Sequence, residues 1–166
     1  LELLHRQDQA QKRQQALADL LCELDKYNEE ETSLQVAQSD YEQARERSEQ
    51  LEETYRRKNR AFLDEQAGLL AQSLVEGQPC PVCGSLHHPT PARLSGDAPT
   101  EAELEEAKTA WEEAQQKTQD TSMAAGKQRA RLEEQEKQLI RAMTDYIDSP
   151  VLSTAREQLI ACQMYG

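Results

Sequence analysis

This sequence predicts an all-α fold, a long antiparallel coiled-coil hairpin. Three observations lead there. Ala, Leu, Glu, Lys and Arg supply about half of the 166 residues, and aromatics only 4%. That is the composition of long helices and coiled coils. Glycine and proline crowd into one stretch: Gly77, Pro79, Pro81, Gly84, Pro89, Pro91, Gly96 and Pro99. On both sides of that stretch, apolar residues recur every seven positions.

The elements follow in chain order. An ascending helix is expected over 1–76, closed by Gly77, which tolerates the left-handed conformation of a helix end. A loop follows over 77–99. A descending helix is expected over 100–148, opened by Thr100 and Glu103, whose spacing is that of a capping box. Ser149-Pro150 reads as a fresh helix start, with Ser149 as N-cap and Pro150 in the first helical position. The descending helix is therefore expected to break near Ser149-Pro150 and continue over 149–166.

Heptads set the expected pairing. The ascending stripe runs Tyr27, Leu34, Tyr41, Ser48, Tyr55, Phe62, Leu69. The descending stripe runs Leu104, Trp111, Thr118, Ala125, Leu132, Leu139, Tyr146. Folding the chain symmetrically at the loop pairs Leu69 with Leu104, Phe62 with Trp111, Tyr55 with Thr118 and Tyr27 with Tyr146. Beyond the break the pairs become Leu24 with Leu152 and Leu17 with Leu159. That shift of three residues predicts a discontinuity opposite 24–28. The intervening layers are mostly polar, which fixes register at a cost in stability.

Composition excludes much. There is too little apolar material for a sandwich, a barrel or a compact α/β enzyme. No apolar run approaches the roughly 20 residues of a membrane span, and no signal peptide opens the chain. A net charge of −12 is the wrong sign for direct nucleic-acid binding. Cys22 and Cys162 are expected to be free thiols of a reducing compartment, the cytoplasm.

Chemistry concentrates in Gly77-Gln78-Pro79-Cys80-Pro81-Val82-Cys83-Gly84-Ser85-Leu86-His87-His88-Pro89. Cys-x-x-Cys spacing lets two thiolates reach one metal ion while backbone N–H groups point at the first sulfur. Pro81 fixes one φ in the curl, and Gly84 accommodates the left-handed turn after it. Zinc takes four ligands and one such knuckle supplies two. A second chain's knuckle could complete the shell. So could His87 and His88, giving a self-contained finger on a coiled-coil adaptor, although adjacent histidines make a cramped pair. Without metal, Cys80 and Cys83 would be a redox dithiol, which normally sits at a helix start in a βαβ fold. His87 and His88 otherwise read as loop surface or as groups supporting the ligands, and Leu86 as an apolar contact at a junction.

A Cys-Pro-x-Cys-Gly knuckle at the apex of a coiled-coil hairpin resembles the zinc hook of the SMC-like DNA-repair ATPases. The string from Gln78 to Pro89 is similar to that of the bacterial SbcC family, the large subunits of the SbcCD nuclease. The resemblance implies that two chains meet apex to apex as a homodimer. It implies one Zn2+ per two chains, held by four thiolates, Cys80 and Cys83 from each. It further implies a parent with ATPase heads, a nuclease subunit and DNA at a distance, opening double-strand ends and hairpins near the bacterial nucleoid. This chain has no GxxxxGK[ST] string, so it is expected to be a non-catalytic distal segment of such a parent.

Overall fold

The computed structural model describes residues 2–165. It contains α1 (Glu2–Gln72), α2 (Glu101–Met143) and α3 (Leu152–Tyr165), with no strand among the described residues. The fold is the expected all-α coiled-coil hairpin. None of these helices is long and apolar enough to cross a membrane. The chain divides into two units, Leu1–Tyr41 with Thr121–Gly166, and Glu42–Asp120.

The first unit holds the apolar core. Leu17 and Leu24 of α1, Met143 of α2, and Ala155 and Leu159 of α3 are essentially fully buried in one cluster. Tyr27, Leu34, Leu132, Leu139 and Ile147 join it, and Leu152 and Cys162 pack on its edge. Leu152, Ala155, Leu159 and Cys162 share one face of α3, which explains why so short a helix docks. Each pair expected beyond the break, Leu17 with Leu159 and Leu24 with Leu152, lies within or against this cluster. Polar residues fill part of the seam. Glu30 accepts hydrogen bonds from Arg131 at 3.0 Å and from Gln135 at 3.2 Å.

The break expected near Ser149-Pro150 is present, as a non-helical stretch over 144–151 that contains both residues, but it opens earlier than expected. α2 stops at Met143, not near 148. The Thr144 hydroxyl donates to the Arg141 carbonyl at 2.5 Å, competing with the helix's own bonding. Ser149 adopts φ 55°, the left-handed region that residues with a side chain seldom enter. Ser149 and Pro150 therefore precede α3 rather than cap it. Val151 takes the capping place, its carbonyl accepting the Thr154 N–H at 3.0 Å.

In the second unit α1 and α2 run antiparallel. Tyr55 stacks on Trp111, with ring centroids 5.5 Å apart. Lys58 donates to the Glu103 carbonyl at 3.4 Å. Both contacts contradict the symmetric pairing, which set Tyr55 against Thr118 and Phe62 against Trp111. The apolar stripes are the expected ones, but they meet one heptad away.

The loop supplies the physical reason. It does not turn symmetrically, because its second half runs back along α1 as a strap. Glu65 accepts hydrogen bonds from the Ser95 N–H (2.8 Å), the Ser95 hydroxyl (3.0 Å) and the Gly96 N–H (3.3 Å). Beside it, Gly68 lets the strap backbone approach closely. A Cβ there would lie 2.9 Å from Arg93 C and Leu94 N. The strap uses up chain before α2 begins, so α2 starts lower on α1. Thr100 then caps α2 as expected. Its N–H donates to Glu103 Oε2 at 2.8 Å, and the Glu103 N–H donates to Thr100 Oγ1 at 3.2 Å.

α1 also ends earlier than expected, at Gln72 instead of 76. Ser73 and Leu74 continue with tighter turns to Leu70 and Ala71. Gly77 has the expected positive φ, 81°, yet it closes the loop rather than the helix. Its N–H donates to the Leu86 carbonyl at 3.1 Å.

Candidate metal centre

The loop between α1 and α2 folds onto itself around Cys80 and Cys83. The Cys80 N–H donates to the Ser85 carbonyl at 2.9 Å, and the Gly84 N–H donates to the Cys80 carbonyl at 2.8 Å. Gly84 has φ 75°, the left-handed turn expected after the second cysteine. A side chain there would be strained by its backbone alone.

The curl aims backbone donors at the first sulfur. The Val82 N–H donates to Cys80 Sγ at 3.4 Å. The N–H groups of Cys83 and Val82 hold the Cys80 thiol below its ordinary value, against the opposing effect of burial. Such bonds favour the thiolate, the form that nucleophilic and metal chemistry both require.

A third group joins the pair. His88 Nε2 lies 3.3 Å from Cys83 Sγ. The ligand atoms of Cys80, Cys83 and His88 all lie within 4.8 Å of one another. Around tetrahedral zinc, with bonds of about 2.3 Å to sulfur and about 2.0 Å to nitrogen, sulfur and nitrogen sit ~3.5 Å apart. Two thiols and an imidazole at this spacing fit a metal ion of that class.

His87 goes elsewhere. Its Nδ1 lies 2.5 Å from Glu76 Oε1, on the other side of the loop. Ser85 organises the divergence, its hydroxyl donating to the His87 carbonyl at 2.8 Å. Sequence reasoning grouped the two histidines, and the structure separates them. One signal was available: His88 precedes Pro89, which restricts its backbone to extended conformations. An extended residue after the turn sends its side chain opposite to its neighbour's.

The remaining cysteines have ordinary settings. Cys22 is exposed, and Cys162 Sγ donates to the Tyr146 carbonyl at 3.4 Å. Cys80 and Cys83 do not begin a helix, since the next one starts at Glu101. The arrangement thus lacks the helix N-terminus that activates redox Cys-x-x-Cys pairs.

Comparison with known proteins adds one relative. Over 48 residues the chain is 46% identical to a protein of Vibrio cholerae serotype O1. That protein is the SbcC subunit of the SbcCD nuclease. The similar stretch is 29% of this chain and 5% of the Vibrio protein. No family model matches the chain, and no solved structure matches it.

Proposed function

We propose that this chain is the zinc-hook segment of an SbcC-like protein, a structural module that joins two coiled-coil hairpins tip to tip. One observation carries the reading: Cys80 and Cys83 form a metal-competent knuckle in the loop that reverses the coiled coil. Similarity to the SbcC protein of Vibrio cholerae supports it. In this reading Cys80 and Cys83 of each of two chains supply four thiolates to one zinc ion. Structural zinc sites contribute on the order of 10 kcal/mol or more in small peptides, enough to hold two chains together. The segment itself is non-catalytic. ATP hydrolysis, the nuclease subunit, DNA-end processing and the nucleoid location belong to the proposed parent.

Metal content and absolute mass of the same sample, with and without chelator, test the proposal. Half a zinc per chain, in a dimer that dissociates on chelation, is the expected result. Replacing both Cys80 and Cys83 by Ser should abolish zinc uptake and pairing while leaving the helical circular-dichroism signal intact. A metal-free chain with a dithiol that cycles reversibly would overturn the hook in favour of a redox tip. One zinc per chain in a monomer at every concentration would favour a self-contained finger.

A further inference from the structure

We infer that His88 is a third zinc ligand in the unpaired chain, so that each chain loads metal before meeting a second. The inference rests on the hook reading and extends it to the state before pairing. Four thiolates require two chains, and a single chain's Cys80 and Cys83 leave half of a tetrahedral shell unfilled. His88 Nε2 stands at hydrogen-bond distance from Cys83 Sγ, 3.3 Å, and within 4.8 Å of Cys80 Sγ. Neutral imidazole is a common zinc ligand.

The placement of His88 is built in. The side chain is half-buried and lines grooves with Leu70, Ala71, Leu74 and Pro91. Pro89 restricts its backbone from the other side. Part of the freedom that binding metal would cost is thus already given up. His87 has an equivalent ring but is held by Glu76, so the two are not interchangeable. Cys80, Cys83 and His88 together make a three-ligand shell with one position left for an outside donor. On pairing, the two cysteines of a second chain take that position and the one His88 vacates. A metal-free partner gives up two thiol protons, and a partner that arrives loaded releases its own zinc ion, leaving one zinc per two chains. This is an exchange of ligands in which no electron is transferred.

The test uses the full 166-residue chain, diluted until its absolute mass is that of a monomer, and titrated with zinc. X-ray absorption at the zinc edge counts sulfur and imidazole neighbours. Two sulfurs and one imidazole are expected in the monomer. His88→Ala and His88→Gln should each weaken zinc binding by the monomer at least tenfold, and His87→Ala less than twofold. In the concentrated dimer four sulfurs are expected, unchanged by His88→Ala. A monomer that takes up no zinc, shows no imidazole, or binds equally tightly after His88→Ala overturns the inference. A concentrated sample that stays monomeric with two sulfurs and one imidazole upholds His88 and overturns the pairing itself.

Discussion

Tyr55 lies flat against Trp111, with their ring planes 14° from parallel. Such a stack contributes about 0.5–1.5 kcal/mol beyond its buried area. It also marks which heptad of α1 meets which heptad of α2. Sliding the helices by seven residues would keep both apolar stripes in register yet separate these rings.

Cysteine cross-linking reads the register directly. In the heptad frame set by Tyr55 and Trp111, the buried Ala107 lies opposite Asn59. A chain carrying Asn59→Cys and Ala107→Cys, with its native cysteines replaced, should form an internal disulfide readily. The pair Gln66→Cys and Ala107→Cys, matched in the slipped register, should not. Faster oxidation of the second pair would refute the observed alignment.

Core substitutions should separate sharply by position. Leu159 is fully buried, whereas Leu69 is 49% exposed. Leu159→Ala should cost about 2–5 kcal/mol through lost contacts and a residual cavity. Leu69→Ala should stay within about 0.5 kcal/mol of the parent. Urea denaturation of the two variants measures the difference, and equal costs would contradict the packing at α3.

The strap should respond to both of its anchors. A Cβ at Gly68 meets backbone atoms that cannot swing aside, so Gly68→Ala should push the strap from α1 and speed tryptic cleavage after Arg93. Glu65→Gln should loosen the same segment. The Ser95 N–H, ahead of its hydroxyl and the Gly96 N–H, holds the Glu65 carboxyl below the usual carboxylate range. Its contribution is therefore present above that range and is lost as pH falls through the lowered value. Protection of the Ser95 and Gly96 amides, taken relative to their intrinsic exchange rate at each pH, should fall on acidification in the parent and be low throughout in Glu65→Gln. Protection that ignores both pH and the substitution would rule out the anchor.

Capping at the start of α2 predicts a smaller effect. Thr100→Ala removes the hydroxyl that accepts the Glu103 N–H and should cost about 1 kcal/mol. Thr100→Ser, which keeps the hydroxyl, should recover most of it. Thermal melting of the three proteins gives the comparison.

The stripes, the loop and the Thr100–Glu103 cap were legible because each depends on neighbours within a few positions. Register was not, because a seven-residue repeat looks the same after a shift of seven. What decided it was Gly68, a glycine inside an otherwise unbroken helix and a sign of close backbone approach. Nothing local announces that Arg93 and Leu94 are what approach it. At the metal centre, the Cys80–Cys83 curl and its donors were readable from spacing and from Gly84. His88 was named there together with His87; what separates the two is signalled in sequence only by Pro89 after His88, and it depends on Ser85 and Glu76 drawing His87 away. Ser149-Pro150 misled for the converse reason. Its local chemistry suits a helix start, but α2 had already stopped at Met143, and the burial of Ala155 and Leu159 set where α3 lies.

The two strands of the hairpin differ in slack. α1 is one unbroken helix of 71 residues, whereas the returning strand passes through a non-helical joint between Met143 and Leu152. A helix rises ~1.5 Å per residue, while extended backbone reaches about 3.3–3.6 Å. Tension along the chain would draw length first from the joint, at the cost of prising Tyr146 and Ile147 from the core. The returning strand is thus the compliant one.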